Sequence, residues 1–273
     1  MRFVQGGVGM DLFLMAFVVA LVFSSIGFKK YVWFISIGYG FSVAAIGIAF
    51  LIAARAYLEP ATIAACLLFV VYGLRLGGYL AIRELKSSSY NAKMKTEIKS
   101  GTDMSLVAKC GIWVSAALLY AAETAPVAFR LSAHVGTDAL LIVGMLVSVA
   151  GLVVESMADA QKNDAKKVNP RRFVDTGLYR IVRCPNYFGE MLFWTGVFVG
   201  GLPVYHGVGQ WLVALLGYVG IIYVMFGGAR RLELRQDRTY GDDPAYQRYV
   251  RTTPIMIPLV PLYSVKKYAW LVA

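Results

Sequence analysis

Histidine is almost absent from this chain: there are two in 273 residues, His134 and His206, far apart and with no acids spaced around them as ligands. A histidine-based metal site is therefore not expected, and no metal is assigned. Cysteine is as sparse. Cys66, Cys110 and Cys184 lack metal-type spacing, and an odd number in apolar or loop settings argues for thiols and against a disulfide framework. Charged residues make up only 16%. No GxGxxG follows a strand pattern and no GxxxxGK[ST] occurs, so any nucleotide must be held without a Rossmann or P-loop fold. Neither solenoid-type repeats nor the inverted repeats of transporters are visible.

What the chain has is apolar length. It is 58% hydrophobic, with a mean hydropathy of +0.61, 17 Tyr and 15 Phe, and its apolar runs are too many and too long for a secretory signal followed by a soluble body. An all-α integral membrane protein is expected, a single transmembrane domain over residues 1–273. A ruler of about 20 apolar residues per crossing gives seven spans, near 10–28, 31–54, 60–82, 106–128, 136–158, 185–205 and 208–228. Alternate loops and the tail then hold 23 of the 27 Lys and Arg residues. By the positive-inside rule this orients a seven-transmembrane bundle with its N-terminus outside and its C-terminus cytoplasmic, residues 229–273 forming a cytoplasmic or interfacial tail. The net charge of +11 is accounted for by topology and by contact with anionic membrane lipids. The basic residues border spans instead of forming a soluble face, so nucleic acid is not expected as a partner, and no required protein partner is evident.

Polar residues inside apolar segments mark the candidate chemistry. In Gly177–Trp194 a basic loop turns into an apolar helix. Pro185 suits a first helical turn, and Asn186, Glu190 and Trp194 recur every four residues on one face. In the third expected span Tyr72, Arg75 and Tyr79 form one stripe, with Gly73, Gly77 and Gly78 allowing close approach of a helix or ligand. The fifth span ends with Glu155, Asp159, Lys162 and Lys166 on one face. That pattern suits a salt-bridged helix end, or equally an acidic pair accepting hydrogen bonds from a ribose or amide with basic residues beyond it for phosphate. Glu123-Thr124-Ala125-Pro126 is expected to break or end the fourth span, and a polar loop with Ser87-Ser88-Ser89-Tyr90-Asn91 near its start is expected over 85–104. The run Tyr246 to Arg251 alternates aromatics and arginines, as an interfacial helix does or as a segment closing over a site does.

Gly177-Leu178-Tyr179 with Arg183-Cys184-Pro185-Asn186-Tyr187-Phe188-Gly189-Glu190 and Trp194 resembles the C-terminal signature of the steroid 5-alpha-reductase family and its bacterial relatives. Tyr72-Gly73-Leu74-Arg75-Leu76, Asp159-Ala160-Gln161-Lys162, and Tyr249 and Arg251 before Ile257-Pro258 extend the resemblance over residues 70–258. It implies a seven-span bundle that binds NADPH from the cytoplasmic side and reduces a carbon–carbon double bond conjugated to a ketone in a lipid-like substrate. Carried over, Asp159, Asn186, Glu190 and Trp194 would meet the cofactor and Arg172 would belong to its basic loop; Lys166, Arg183 and Arg231 are added as candidates for the phosphates on charge and position. Tyr72 would match the Tyr that hydrogen-bonds the substrate ketone; beside that carry-over, Arg75 is the candidate for biasing the charge, Tyr39 for replacing the missing acid partner, and Tyr39 and Tyr79 for lining the substrate site. The Gln-Glu pair of the steroid reductases has no counterpart near Ser36–Gly40, nor does a C-terminal histidine, since Arg230-Arg231-Leu232-Glu233 stands there. Isoprenylcysteine carboxyl methyltransferases, which bind S-adenosylmethionine, are similar in their C-terminal helices. A non-enzymatic lipid-binding membrane protein is the third expectation.

Overall fold

The structure is a computed structural model that describes residues 5–86 and 104–272; the expected Ser87–Asn91 stretch lies outside them. Every described regular element is helical. The long helices are α1 (Gln5–Ser24), α2 (Ile37–Ala53), α3 (Pro60–Lys86), α4 (Leu106–Ala133), α5 (Ala139–Val168), α6 (Pro185–Gly201) and α7 (Val208–Tyr240), followed by the short α8 (Pro244–Thr252). The chain is a multi-pass membrane protein by this measure: six helices are long and apolar enough to cross a bilayer.

Seven crossings were expected, and the difference is α6. It has 17 residues and gives way to a 3-10 turn at Leu202–Val204, so it rises about 26 Å against a hydrocarbon core of about 30 Å. The odd-number argument that placed the two termini on opposite sides falls with the seventh span. Helices also outrun the apolar ruler at their polar ends. α5 continues to Val168 and α7 to Tyr240, so the expected tail from residue 229 begins as unbroken helix.

Packing divides the chain into two compact units, Met1–Val143 with Val197–Gly217, and Gly144–Gly196 with Tyr218–Ala273. In the first, α1 packs on α2 and α4, and α2 on α3. The α2–α3 contact is backbone on backbone. A Cβ on Gly40 would stand 2.5 Å from the Gly77 nitrogen, and one on Gly73 would stand 2.5 Å from the Ala44 nitrogen while meeting the Gly40 carbonyl. Such approach is the membrane substitute for hydrophobic attraction, since lipid is as apolar as the helices. Phe34, Phe50, Phe69 and Tyr72 are buried in this unit, where the Tyr120 hydroxyl donates to the Phe34 carbonyl at 2.8 Å.

Pro126 does not end α4, contrary to expectation: the helix runs through it to Ala133, where His134 adopts a left-handed conformation at the cap. The missing N–H leaves the Ala122 carbonyl without its helical donor. There Gly217 of α7 comes so close that a Cβ would lie 2.5 Å from that carbonyl oxygen, and helix packing holds the break closed. Nearby, buried Arg130 donates to the Gly200 carbonyl at 2.8 Å and to Asp138 at 2.5 Å.

In the second unit α5 and α6 cross on Gly151, Gly189 and Gly196. A Cβ on Gly189 would lie 2.6 Å from the Glu155 nitrogen, and one on Gly196 2.6 Å from the Ser148 nitrogen. The Ser148 hydroxyl donates to the Phe193 carbonyl at 2.8 Å. α6 runs antiparallel to α7, with Thr195 against the Tyr218 hydroxyl at 3.1 Å and Tyr187 against Gly228.

Alanine in place of glycine ordinarily stabilises a helix by about 1 kcal/mol. In α3 the sign depends on position. Gly73→Ala will lower the thermal unfolding temperature in detergent by several degrees, because backbone has to move. Gly78→Ala, with nothing within 4 Å of the added carbon, will leave it unchanged or raise it.

Candidate functional site

The second unit's polar residues are organised by a buried ion pair. Arg183 precedes α6 and Glu233 lies on α7; they meet at 2.9 Å with side chains 2% and 1% exposed. Glu233 also accepts from the backbone N–H of Val265 at 2.9 Å and of Lys266 at 3.1 Å, while Arg183 donates to the Tyr263 carbonyl. Backbone bonds continue the latch, Arg183 N–H to the Pro254 carbonyl and Cys184 N–H to the Ile255 carbonyl, both 2.9 Å. The C-terminal segment is thereby fastened to the loop that launches α6. Arg183 was expected at the cofactor phosphates; its guanidinium is instead occupied by Glu233 and the tail. Burial pushes the Cys184 thiol up to about 11, so at neutral pH it is not a thiolate nucleophile.

The loop is pinned on its other side by α5. Gly177 takes a φ of +60°, which glycine tolerates without strain. This lets Leu178 donate its N–H to the Gln161 side chain at 2.8 Å. The Tyr179 hydroxyl donates to the Ala158 carbonyl at 3.3 Å, and the Tyr249 hydroxyl to the Tyr179 carbonyl at 2.7 Å. Phe173 stacks on Tyr249 at 5.4 Å and meets Tyr246 and Tyr240 edge-on. Gly177-Leu178-Tyr179 and Asp159-Ala160-Gln161-Lys162, two of the motifs quoted above, thus touch.

Three carboxylates are buried along the α5–α6 contact: Glu155 at 3% exposure, Asp159 one turn further at 8%, and Glu190, beside the contact glycine Gly189, at 6%. Trp194, one turn beyond Glu190, is 2% exposed. Among the described residues no three His, Cys, Asp or Glu groups are placed to hold a metal ion. Asn186 is half-buried in the first turn of α6, and Arg231 is exposed on α7. The Lys166 ammonium is 3.1 Å from the Tyr240 hydroxyl and donates to the carbonyl of Arg172, whose own guanidinium pairs with Asp175 at 2.7 Å.

In the first unit the hydroxyls of Tyr39 on α2 and Tyr72 on α3 lie 3.1 Å apart, with the residues 5% and 0% exposed. The Tyr39 ring also packs on Tyr120, centroids 4.8 Å apart. The stripe expected of Tyr72, Arg75 and Tyr79 divides by depth: Tyr72 is enclosed, while Arg75 and Tyr79 are half-buried, and the Arg75 and Arg83 guanidinia each sit 5.7 Å from the Tyr79 ring centroid. One acid escaped the sequence reading. Glu84, 6% exposed, accepts from Lys30 and from the Trp33 indole at 2.5 Å. It stands about 18 Å along α3 from Tyr72, twelve residues at 1.5 Å each, too far to partner that hydroxyl. No local pattern announces Glu84 or Glu233, since their partners lie 54 and 50 residues away.

Fold and site define a polytopic helical membrane protein with buried polar clusters in both of its units. The chain belongs to a family of proteins of unknown function, DUF1295, whose model matches residues 17–253. No curated protein and no solved structure matches it.

Glu233→Gln will destabilise the fold by roughly 3 kcal/mol, because Arg183 is left as a buried uncompensated charge. Limited proteolysis in detergent will show faster cleavage between residues 254 and 272, and Arg183→Met on top of Glu233→Gln will recover part of the loss.

Proposed function

We propose that this protein is a membrane-embedded, NADPH-dependent reductase of a carbon–carbon double bond conjugated to a ketone in a steroid-like or other lipid substrate. The observation that carries the reading is the buried Tyr39–Tyr72 hydroxyl pair. A phenol has a usable donor at neutral pH, and enclosure in a low-dielectric interior strengthens its hydrogen bond to developing negative charge. The resemblance in Arg183–Glu190, and in the segments around Tyr72 and Asp159, supplies the reaction class.

NADPH, when bound, supplies the hydride for the beta carbon of the enone. The task left to the protein is to stabilise the enolate oxygen. Tyr72 donates a hydrogen bond to that oxygen while keeping its proton, and Tyr39 donates in turn to the Tyr72 oxygen; the enolate so held then takes a proton from water at its alpha carbon, which with the hydride saturates the double bond. Tyr39 so takes the part of the acid that the steroid reductases carry in their second span. Arg75, held against Tyr79, contributes positive potential at the mouth of the stripe. In the second unit Asp159 and Glu190 accept hydrogen bonds from ribose hydroxyls and Asn186 meets the carboxamide. Trp194 offers an apolar wall, while Lys166, Arg172 and Arg231 face the phosphates. Arg183 acts as a positioning residue, through the latch that sets the start of α6. The apolar substrate enters from the bilayer.

Tyr72→Phe will lower turnover at least about tenfold, measured as enone-dependent NADPH oxidation, with little change in NADPH affinity, since one transition-state donor is worth a few kcal/mol. Unchanged turnover would remove Tyr72 from the mechanism. Glu190→Gln will raise the NADPH dissociation constant about tenfold, the loss of one charge-assisted hydrogen bond; unaltered binding in the folded variant would leave Glu190 a packing residue.

A further inference from the structure

A cavity of about 430 Å³ opens in the second unit between the loop preceding α6 and one face of α8, lined by Asp175, Arg180, Pro244, Arg248, Tyr249 and Thr252 among others. Pro244, Arg248 and Thr252 stand at i, i+4 and i+8, so the helix presents a single row to it. The other groups on this wall are committed: Asp175 pairs with Arg172 at 2.7 Å, the Tyr249 hydroxyl donates to the Tyr179 carbonyl, and the Thr252 hydroxyl donates to the Arg248 carbonyl at 2.9 Å. Arg180 and Arg248 differ. Both are exposed, and among the described residues neither guanidinium has a hydrogen bond or ion pair.

We infer that this cavity is an anion site that takes a phosphate ester, with Arg180 and Arg248 closing on the phosphate from the loop and from α8. With the Asp175 charge offset by Arg172, the wall carries two net positive charges, and each planar guanidinium presents a fork of donors that matches phosphate oxygens. The volume exceeds what a bare phosphate fills and lies within the range of about 300–1,000 Å³ typical of ligand pockets, so it accommodates the group esterified to the phosphate as well. The latch holds both walls. Arg183 bonds the Pro254 carbonyl, and Tyr249 ties α8 to Tyr179, the neighbour of Arg180. A phosphate bound here bridges the α6-launching loop and the C-terminal segment, and it adds a contact that the unliganded chain lacks. Neither arginine belongs to the cofactor set of the proposed reductase, which shares with this site only Arg172, the partner of Asp175, so the Arg180 and Arg248 variants test the inference apart from that reading.

The ester is supplied either by an anionic lipid headgroup or by a soluble compound, and the test separates the two. Full-length protein in neutral detergent is titrated with inorganic pyrophosphate and, in a second arm, with mixed micelles containing phosphatidylglycerol or phosphatidylcholine, following the unfolding temperature. The wild type will be stabilised by pyrophosphate, by phosphatidylglycerol over phosphatidylcholine, or by both. Arg180→Gln and Arg248→Gln will each weaken the apparent affinity about tenfold, as expected for loss of one charge-assisted pair, and the double variant will abolish the response. The double variant Arg171→Gln, Arg238→Gln, which removes two exposed positive charges elsewhere, will retain it. Response to pyrophosphate identifies a soluble phosphate ester, and response to phosphatidylglycerol alone a lipid headgroup. No response in the wild type, or equal loss in the two double variants, overturns the site. If the Gln variants unfold more easily without ligand, Arg180→Lys and Arg248→Lys serve in their place. Partial retention by the lysines supports the site, and unaltered affinity in both overturns the paired-fork recognition.

Discussion

The ion pair between Arg183 and Glu233 is the interaction on which the second unit depends. Each side chain is almost wholly enclosed, and the desolvation of two charges is recovered only because Glu233 also accepts two backbone N–H groups and Arg183 also reaches a carbonyl. A pair so placed fixes geometry more than it adds stability. It joins three segments remote in sequence, namely the loop before α6, the helical extension of α7, and the C-terminal segment. Asn186 and Glu190 begin their helix within seven residues of it. Their position relative to Asp159 and Glu155 is set by the same clamp together with the glycine contact between α5 and α6.

Glycine plays the complementary part. Apolar helices in lipid gain nothing by hiding from the solvent, so close association depends on dispersion and on backbone approach. Gly40, Gly73 and Gly77 supply it in the first unit, and Gly151, Gly189 and Gly196 in the second. Each contact has a polar cluster beside it. Tyr39 precedes Gly40 and Tyr72 precedes Gly73, which is why two phenols 33 residues apart in sequence meet at 3.1 Å. Glu190 follows Gly189, whose Cβ position is filled by the Glu155 backbone. Tight packing and chemically useful polarity thus occupy the same places.

Much of this is legible in the sequence because the period of a helix is fixed. Apolar stretches located the long helices, and four-residue spacing put Asn186, Glu190 and Trp194 on one face of α6. What resisted reading has particular causes. Hydropathy measures apolar length and not helical length, so the apolar ruler ends α5 and α7 early, while the shared face of Glu155, Asp159, Lys162 and Lys166 already carries α5 past its apolar stretch. α6, at 17 residues, was counted as a crossing. Pro126 looks like a terminator until Gly217 is seen packed against the carbonyl it exposes. Glu84 and Glu233 pair across more than forty-nine residues, and no local spacing announces such a partner. Charge and position suit Arg183 to a phosphate; its pairing with Glu233, 50 residues on, is a contact that no local spacing announces.

Cofactor chemistry is where the proposed activity meets its sharpest alternative, and binding tests it before any substrate is known. A ligand that binds only the folded state stabilises it by RT ln(1 + [L]/Kd), about 2.7 kcal/mol at a hundred times Kd. The measurement is the unfolding temperature of the detergent-purified protein with saturating NADPH, NADH and S-adenosylmethionine in parallel. Reductase chemistry predicts a rise of several degrees with NADPH and none with S-adenosylmethionine. A rise with S-adenosylmethionine alone would contradict it and make the protein a methyltransferase.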